Sequence, residues 1–197
     1  MYSSEQLRET LPPILDRASG AKVPRGDSLA SVLVPLLVST PDPRVVFTRR
    51  TETLSRHAGE ISFPGGLADE GEDAASAALR EAEEELGLAP ADVELVGALP
   101  AVHTRVTGIL IVPFVGLLAK DPRFTPNAEE IAEVLEFRLA DLVERGADAE
   151  FEHEGRTLQT YVYEVDGHVI WGATARILWS LIEAINGHGR NWVPRPA

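Results

Sequence analysis

Residues 66–88 decide how this chain folds and read GLADEGEDAASAALREAEEELGL. The part from 72 to 86 is rich in Ala, Leu, Arg and Glu and contains neither Pro nor Gly, a composition that favours a helix. Gly71 before it is a loop signal, and Gly87 after it is a helix stop. The sequence therefore predicts a helix over residues 72–86 that ends at Gly87.

This helix carries apolar residues at spacings of three and four, which form a stripe that can pack on a sheet: Ala75, Ala78, Leu79, Ala82 and Leu86. Glu81, Glu84 and Glu85 are also three and four apart, and we expect them to share a different face. Neighbouring carboxylates repel one another, and a bound cation offsets that repulsion. Because carboxylate oxygens are hard ligands, the pattern predicts a Mg²⁺ or Mn²⁺ site.

The spacing G-x5-E-x7-R-E-x-x-E-E-x-G from Gly66 to Gly87 resembles the Nudix box, the signature of the Nudix hydrolases, and each fixed position is filled. A charged surface helix is the alternative, but it requires all of these positions to coincide by chance. The resemblance implies an α/β protein, an α/β/α sandwich with a mixed central sheet. It also implies hydrolysis of a nucleoside diphosphate with Mg²⁺ or Mn²⁺, and a Gly66 carbonyl oxygen that can bind the metal.

The remaining box residues have supporting roles in this interpretation. Arg80 is expected to orient the carboxylates through charge-assisted hydrogen bonds, and Glu72 is either a further ligand or an outer partner. The resemblance also implies a loop glutamate as catalytic base or extra ligand; Glu130 is our choice, and Glu84 is the other candidate base. The predicted catalytic residues are Glu84, Glu130 and Arg80, and the predicted metal ligands are Gly66, Glu81, Glu84 and Glu85.

A second motif lies upstream of the box and resembles the extra signature of the coenzyme A diphosphatase branch. Thr48, Arg50, Gly59 and residues 63–66 fall in register with L-L-T-x-R-[SA]-x3-R-x3-G-x3-F-P-G-G, whereas two positions depart from it, Thr51 and Ser55. Residues 171–176, WGATAR, are similar to a further segment of that branch. A cluster of cationic and His side chains suits phosphate contact and forms our predicted substrate-binding set: Arg49, Arg50, Arg56 and His57.

The coenzyme A resemblance implies the products 3′-phosphoadenosine 5′-phosphate and 4′-phosphopantetheine. Two alternatives stay open at this point. One is another Nudix specificity, such as ADP-ribose, and the other is a non-catalytic module that binds nucleotide. The arginine cluster also has a plain alternative, because such residues often decorate a solvated strand.

The amino-acid composition limits the kinds of partner and location that we expect for this protein. The net charge of −13 argues against a basic nucleic-acid-binding surface, although a metal can join an acidic protein to a phosphorylated small molecule. The absence of Cys among 197 residues excludes a disulfide framework and a thiol nucleophile. The N-terminus lacks a signal-peptide pattern, and the longest apolar run, 29–38, is too short to span a bilayer. We expect a cytoplasmic protein with a nucleotide substrate, no membrane or nucleic-acid partner, and a possible homodimer.

The remaining chain predicts a run of strands and helices. Strands are expected at 29–38, 45–49, 61–63, 93–101, 109–118, 132–137, 151–153, 158–164 and 168–171, and helices at 2–18, 139–144 and 172–185. The prolines Pro12 and Pro13 are expected to break the first helix. We divide the chain into an N-terminal extension (1–28), the hydrolase domain (29–187) and a C-terminal tail (188–197).

Overall fold

The computed structural model describes residues 2–15, 29–53, 58–104, 109–153 and 156–187, with the backbone alone at 148–153 and 156–160. The helices are α1 (Ser4–Ile14), α2 (Ala74–Leu86), α3 (Leu139–Arg145) and α4 (Gly172–Ile185), with a 3-10 turn at Pro90–Asp92. The strands are β1 (Leu29–Leu37), β2 (Arg44–Arg50), β3 (Ile61–Ser62), β4 (Gly65–Leu67), β5 (Glu94–Ala98), β6 (Val102–His103), β7 (Leu110–Leu118), β8 (Ile131–Arg138), β9 (Gly146–His153), β10 (Arg156–Val165) and β11 (His168–Ile170).

The central sheet is mixed. Its strand order is β3-β2-β1-β7-β5, with β4 beside β1, β6 beside β7 and β8 beside β2. The central pair β1 and β7 is parallel over nine paired positions, from Leu29 with Leu110 to Leu37 with Leu118. The neighbouring pairs are antiparallel. A second, three-stranded antiparallel sheet has the order β11-β10-β9.

Helices cover both faces of the central sheet, and β1 is therefore buried on both sides. Leu33 and Leu37 pack with the alanines of α2, whereas Val34 and Leu36 pack in the cluster formed with α1, α3 and α4. Alternate side chains of a strand point to opposite faces, so one apolar strand supplies both layers. The predicted α/β/α sandwich with a mixed central sheet is confirmed.

The helix of the box begins two residues later than predicted, at Ala74. Asp73 caps it, because the Asp73 carboxylate accepts a hydrogen bond from the backbone N–H of Ser76. Gly87 ends the helix in the left-handed conformation with φ 66°, as the sequence predicts. Glu72 therefore lies in the preceding loop, where its carboxylate is free to bond with side chains of the helix.

The prediction that Pro12 and Pro13 break the first helix is wrong, since α1 continues through both to Ile14. The two prolines fall in the last turn, where their missing N–H groups leave unpaired the carbonyls of Arg8 and Glu9, two exposed residues that water can reach. Burial of apolar side chains on the inner face holds this helix in place.

Two strand boundaries differ from the prediction by three residues or more. The predicted strand 93–101 ends at Ala98, and Pro100, which has no N–H for a ladder bond, separates it from β6. The strand β9 begins at Gly146, five residues before the predicted start. The turn from β10 to β11 uses Asp166 and Gly167, both with positive φ, as predicted. The other predicted turn, at 154–155, lies outside the described residues.

Among the residues that the structure describes, every helix falls short of the length and apolarity needed to cross a bilayer.

We expect α1 to contribute strongly to stability, although it lies in the predicted N-terminal extension. Leu11 is fully buried in the cluster formed with α4, so Leu11→Ala should lower the free energy of unfolding by about 2–5 kcal/mol. Glu9→Ala, on the exposed side of the same helix, is the control and should change it by less than about 1 kcal/mol. Urea unfolding measures both, and equal stability of the two variants would contradict the packing of α1.

Candidate metal and diphosphate site

The turn before α2 lies directly against the central sheet. Gly65 pairs with Val32 of β1, and a Cβ atom on Gly65 would come within 2.4 Å of the backbone oxygen of Ser31. Only a residue without a side chain permits this approach. Phe63, just upstream, is buried and stacks on Phe47 with a ring-centroid distance of 4.7 Å. The turn is thus anchored on one side by aromatic packing and on the other by backbone contact.

Arg80 holds the acidic groups around this turn. Its Nε donates to Glu72 Oε1 at 3.0 Å and its Nη2 donates to Glu72 Oε2 at 3.2 Å, a bidentate contact. Its Nη1 donates to Glu81 Oε1 at 2.9 Å and to Glu84 Oε2 at 3.1 Å. Nη2 also reaches the backbone oxygen of Leu67 at 3.3 Å. The geometry agrees with the expectation that Arg80 orients carboxylates.

Glu72 is positioned by two further contacts. Its Oε2 accepts a hydrogen bond from the backbone N–H of Asp69 at 2.8 Å, in addition to the bonds from Arg80. The Arg80 guanidinium lowers the pKa of Glu72 despite partial burial, and Glu72 in turn raises the pKa of Arg80. With both carboxylate oxygens engaged by the protein, Glu72 has the contacts of an outer partner, which is one of its two predicted roles.

Glu81 lies against the backbone of Gly66. A Cβ atom built on Gly66 would be 2.5 Å from the carboxylate carbon of Glu81, so glycine leaves the space that this carboxylate fills. Burial raises the pKa of Glu81, whereas Arg80 lowers it and the charge of Glu84 adds a smaller rise. The predicted ligands Gly66 and Glu81 are therefore brought together.

Glu85 is the most buried acid of the site, with only 4% of the residue exposed. Its Oε1 lies 3.8 Å from Arg50 Nη1, and its carboxylate accepts a hydrogen bond from the backbone N–H of Gly65. Its Oε2 is buried and has no hydrogen-bond partner among the described residues. Burial raises the pKa of Glu85 to about 8; Arg50 and Gly65 oppose this rise, and Glu81 and Glu130 add to it.

The expectation that the three glutamates lie on a different face from the apolar stripe is wrong for Glu85. Residues advance by about 100° each around an α-helix, so Glu85, three residues after Ala82 and seven after Ala78, falls on the packing stripe itself. Glu81 lies at the edge of that stripe with 18% of its side chain exposed, and Glu84 faces solvent with 59% exposed. The three acids thus run from the interior to the surface.

The segment after β7 brings a further acid towards the site. The Asn127 N–H donates to the backbone oxygen of Glu85 at 2.9 Å, and the Thr51 N–H donates to the backbone oxygen of Glu130 at 2.8 Å. The charge of Glu130 also contributes to the raised pKa of both Glu81 and Glu85. Glu130, predicted as a base from the sequence, therefore lies within electrostatic range of the buried acids.

The predicted cationic cluster is divided by the fold. Arg50 faces Glu85 beneath α2, whereas Arg49, the preceding residue of β2, forms an ion pair with Glu133 of β8 at 3.0 Å between Nη2 and Oε2. Arg56 and His57 lie outside the described residues. Sequence reasoning did not foresee the Arg50–Glu85 contact, because the two residues belong to separate motifs and only the placement of α2 on the sheet joins them.

The WGATAR segment forms the start of α4. Arg176 Nη1 donates to the backbone oxygen of His103 at 3.0 Å, which ties this helix to β6. Trp179 stacks on Tyr161 with a ring-centroid distance of 5.4 Å. This contact packs α4 against β10.

A divalent cation fits the donors of the site. Within the described ranges, no group of three or more acidic or His side chains is gathered as a ready metal cluster. The arginines account for this, since Glu81 and Glu84 turn to Arg80. The oxygens are hard donors, one of them is buried and unpartnered, and burial raises the pKa of two of the carboxylates. A cation of the Mg²⁺ or Mn²⁺ type would compensate each of these costs.

Comparison with known proteins identifies the class. Residues 29–158 match the family model of the NUDIX domain. The chain is 37% identical over 155 residues to an uncharacterised Nudix hydrolase, NudL, of Pectobacterium atrosepticum, across 77% of this chain and 80% of that protein. Identity to NudL of Escherichia coli K12 is 36% over the same length and coverage. The chain belongs to the Nudix family, whose hydrolases generally use divalent metal ions.

The fold comparison agrees with this assignment. A crystal structure of a Caenorhabditis elegans Ap4A hydrolase binary complex superposes with a TM-score of 0.50 at 17% identity, over 58% of this chain and 83% of that chain. At that identity the likeness concerns the fold alone. Family membership supports a diphosphate hydrolase of the pyrophosphatase type.

The buried Glu85 predicts a pH-dependent stability of the metal-free protein. Its folded-state pKa of about 8 lies above the ordinary 4.5, so the folded chain keeps a proton that the unfolded chain releases. This contribution is complete below 4.5 and is lost as the pH rises to about 8. In chelator, Glu85→Gln should therefore melt at a higher temperature than wild type near pH 8, and at a similar one near pH 4.5. Melting curves of wild type, Glu85→Gln and the exposed control Glu83→Gln test this; parallel curves for all three would contradict it.

Gly66 offers a second test of the site. Gly66→Ala should displace the Glu81 carboxylate and weaken Mn²⁺ binding by about tenfold or more, since the added Cβ would overlap it. Gly71→Ala is the control, because a Cβ there meets no atom within 4 Å and its cost is backbone strain at φ +80°. Titration followed by electron paramagnetic resonance measures the affinity. Equal Mn²⁺ affinities of the two variants would count against Gly66 and Glu81 as ligands.

Proposed function

We propose that this chain is a Mg²⁺- or Mn²⁺-dependent diphosphatase that hydrolyses coenzyme A or a derivative to 3′-phosphoadenosine 5′-phosphate and 4′-phosphopantetheine. The hydrolase activity is supported above all by one observation. Within a complete Nudix box, Gly66 lies against Glu81, and the buried Glu85 keeps one carboxylate oxygen without a hydrogen-bond partner among the described residues. The coenzyme A part is supported by the second motif and by what its residues do in the fold.

Residues of that motif build the loop that leads into the site. Thr48 Oγ1 donates to the backbone oxygen of Ser62 at 3.2 Å and so ties β2 to β3. Gly59 has φ +70°, and a Cβ there would be 2.5 Å from Glu52 Oε1, so the Glu52 side chain lies directly against this glycine. Arg50, the motif's cation among the described residues, ends β2 beside Glu85. These contacts place the motif next to the box.

In this proposal the residues of the site have different roles. Glu81, Glu84, Glu85 and the Gly66 carbonyl oxygen would hold the cation, which would neutralise diphosphate charge and make a water molecule more acidic. Arg80 keeps Glu81 and Glu84 in position through its Nη1 donor.

Glu130 is the proposed general base, with Glu84 as the alternative. It accepts a proton from water as the water oxygen bonds to one phosphorus. The bridging P–O bond then breaks, and the products are two phosphate monoesters.

Of the two alternative functions, one has support in the sequence and the other does not. Thr51 and Ser55 depart from the coenzyme A signature, which favours testing ADP-ribose and other nucleoside diphosphates in parallel. A non-catalytic module is disfavoured, because Arg80 and the box acids are intact.

A cytoplasmic location, consistent with the absence of Cys, and a homodimer complete the proposal.

Product analysis tests the function directly. With Mn²⁺, wild type should convert coenzyme A to the two named products, detected by mass spectrometry, in preference to ADP-ribose and dinucleoside polyphosphates. Glu84→Gln and Glu85→Gln should each reduce turnover by about a hundredfold or more, whereas Glu83→Gln, exposed on the same helix, should match wild type.

The possible failures are distinct. Preference for ADP-ribose would reject the coenzyme A assignment and keep the hydrolase. Binding without any product would support the non-catalytic module. Full activity of both Glu84→Gln and Glu85→Gln would refute the assignment of these acids.

A further inference from the structure

Arg50 and Glu85 form an incomplete ion pair inside the candidate site. Arg50 Nη1 and Glu85 Oε1 are 3.8 Å apart, beyond the roughly 2.8 Å of a charge-assisted hydrogen bond. Two further atoms of the pair, Arg50 Nε and Glu85 Oε2, are buried and have no hydrogen-bond partner among the described residues. Each of the two side chains therefore keeps one polar atom without a partner among the described residues.

This arrangement is costly for the protein alone. A buried charged group with an unmet hydrogen bond loses free energy that water would otherwise supply. A ligand relieves the cost at both ends only if it brings a cation to the carboxylate and an anionic oxygen to the guanidinium. A diphosphate accompanied by a divalent cation is a ligand of this kind.

The two neighbouring arginines are engaged elsewhere. Arg80 uses Nε, Nη1 and Nη2 for Glu72, Glu81, Glu84 and the Leu67 carbonyl. Arg49 donates from Nε and pairs through Nη2 with Glu133. Arg50 has 24% of its side chain exposed and ends β2, where the β2–β8 register shifts, and its Nε has no hydrogen-bond partner among the described residues.

We propose that Arg50 faces Glu85 in the metal-free protein and turns to a phosphate oxygen of the substrate once a divalent cation takes its place beside Glu85. The inference rests on the proposed function and deepens it. Arg50 then opposes binding of the cation alone and favours binding of the cation with substrate. It acts as a substrate-binding residue that couples the two ligands.

Mn²⁺ affinity without substrate is the first measurement, made by electron paramagnetic resonance at one fixed pH. Arg50→Gln should bind Mn²⁺ about fivefold or more tightly than wild type, because a positive charge near Glu85 is removed. Arg50→Lys keeps the charge and should remain close to wild type. Arg44→Gln is the matched control, since Arg44 lies on the same strand but pairs with Asp121 and Glu136, and its Mn²⁺ affinity should not change.

Hydrolysis kinetics with coenzyme A and ADP-ribose are the second measurement. KM for the hydrolysed substrate should rise about tenfold in both Arg50→Gln and Arg50→Lys, with a smaller change in kcat, because lysine cannot replace the two-point contact of a guanidinium with phosphate. Arg44→Gln should keep the wild-type KM. Melting temperatures establish that each variant is folded.

The outcomes separate this inference from the function on which it rests. Wild type that binds no Mn²⁺ or hydrolyses no diphosphate overturns both. Active wild type together with folded Arg50→Gln of equal or weaker Mn²⁺ affinity overturns the Arg50 inference alone. Should Arg50→Gln fail to fold, Arg50→Lys decides, and a wild-type KM in that variant overturns the inference.

Discussion

The close packing of α2 on the turn at β4 and on the central strand β1 is the constraint on which the rest of the structure depends. Alanines at 74, 78 and 82 face the sheet, and glycines at 65 and 66 remove the side chains that would keep the turn away. Because the side chains on both surfaces are small or absent, the helix lies near enough for Glu81 to pack against Gly66 and for Glu85 to accept a hydrogen bond from the backbone of Gly65. In the proposed site, a bound cation would offset the cost of burying these carboxylates.

The two arginines of the site differ in how fully they are paired, and this difference suggests different tasks. Arg80 is saturated by acids and a carbonyl, so its effect is to fix the direction of Glu81 and Glu84. Arg50 is only partly engaged by Glu85. An arginine that orients the acids and a second arginine that is only partly paired suit a substrate that binds together with a metal ion, because such a ligand carries charges of both signs.

Much of the local structure could be predicted from the sequence, because local signals set it. Residue type and short-range spacing account for the end of α2 at Gly87 and for the turn at Asp166 and Gly167. The break expected at Pro12 was wrong, since burial of Leu7 and Leu11 in a distant core outweighs a local proline signal in the last turn. Equal helical spacing likewise did not reveal that Glu85 lies on the packing stripe.

The sequence by itself determined the family, through a motif whose spacing is a property of one helix and its two flanking glycines. It also determined the alternation of β1 that makes a two-faced core. Only the tertiary structure decided which acid is buried, which arginine meets it and which arginine turns away to Glu133. The physical reason is that burial and ion pairing depend on the register of strands and on the seating of a helix. Strand register and helix packing bring together residues that are far apart in the chain, so the local spacing of residues does not predict these contacts.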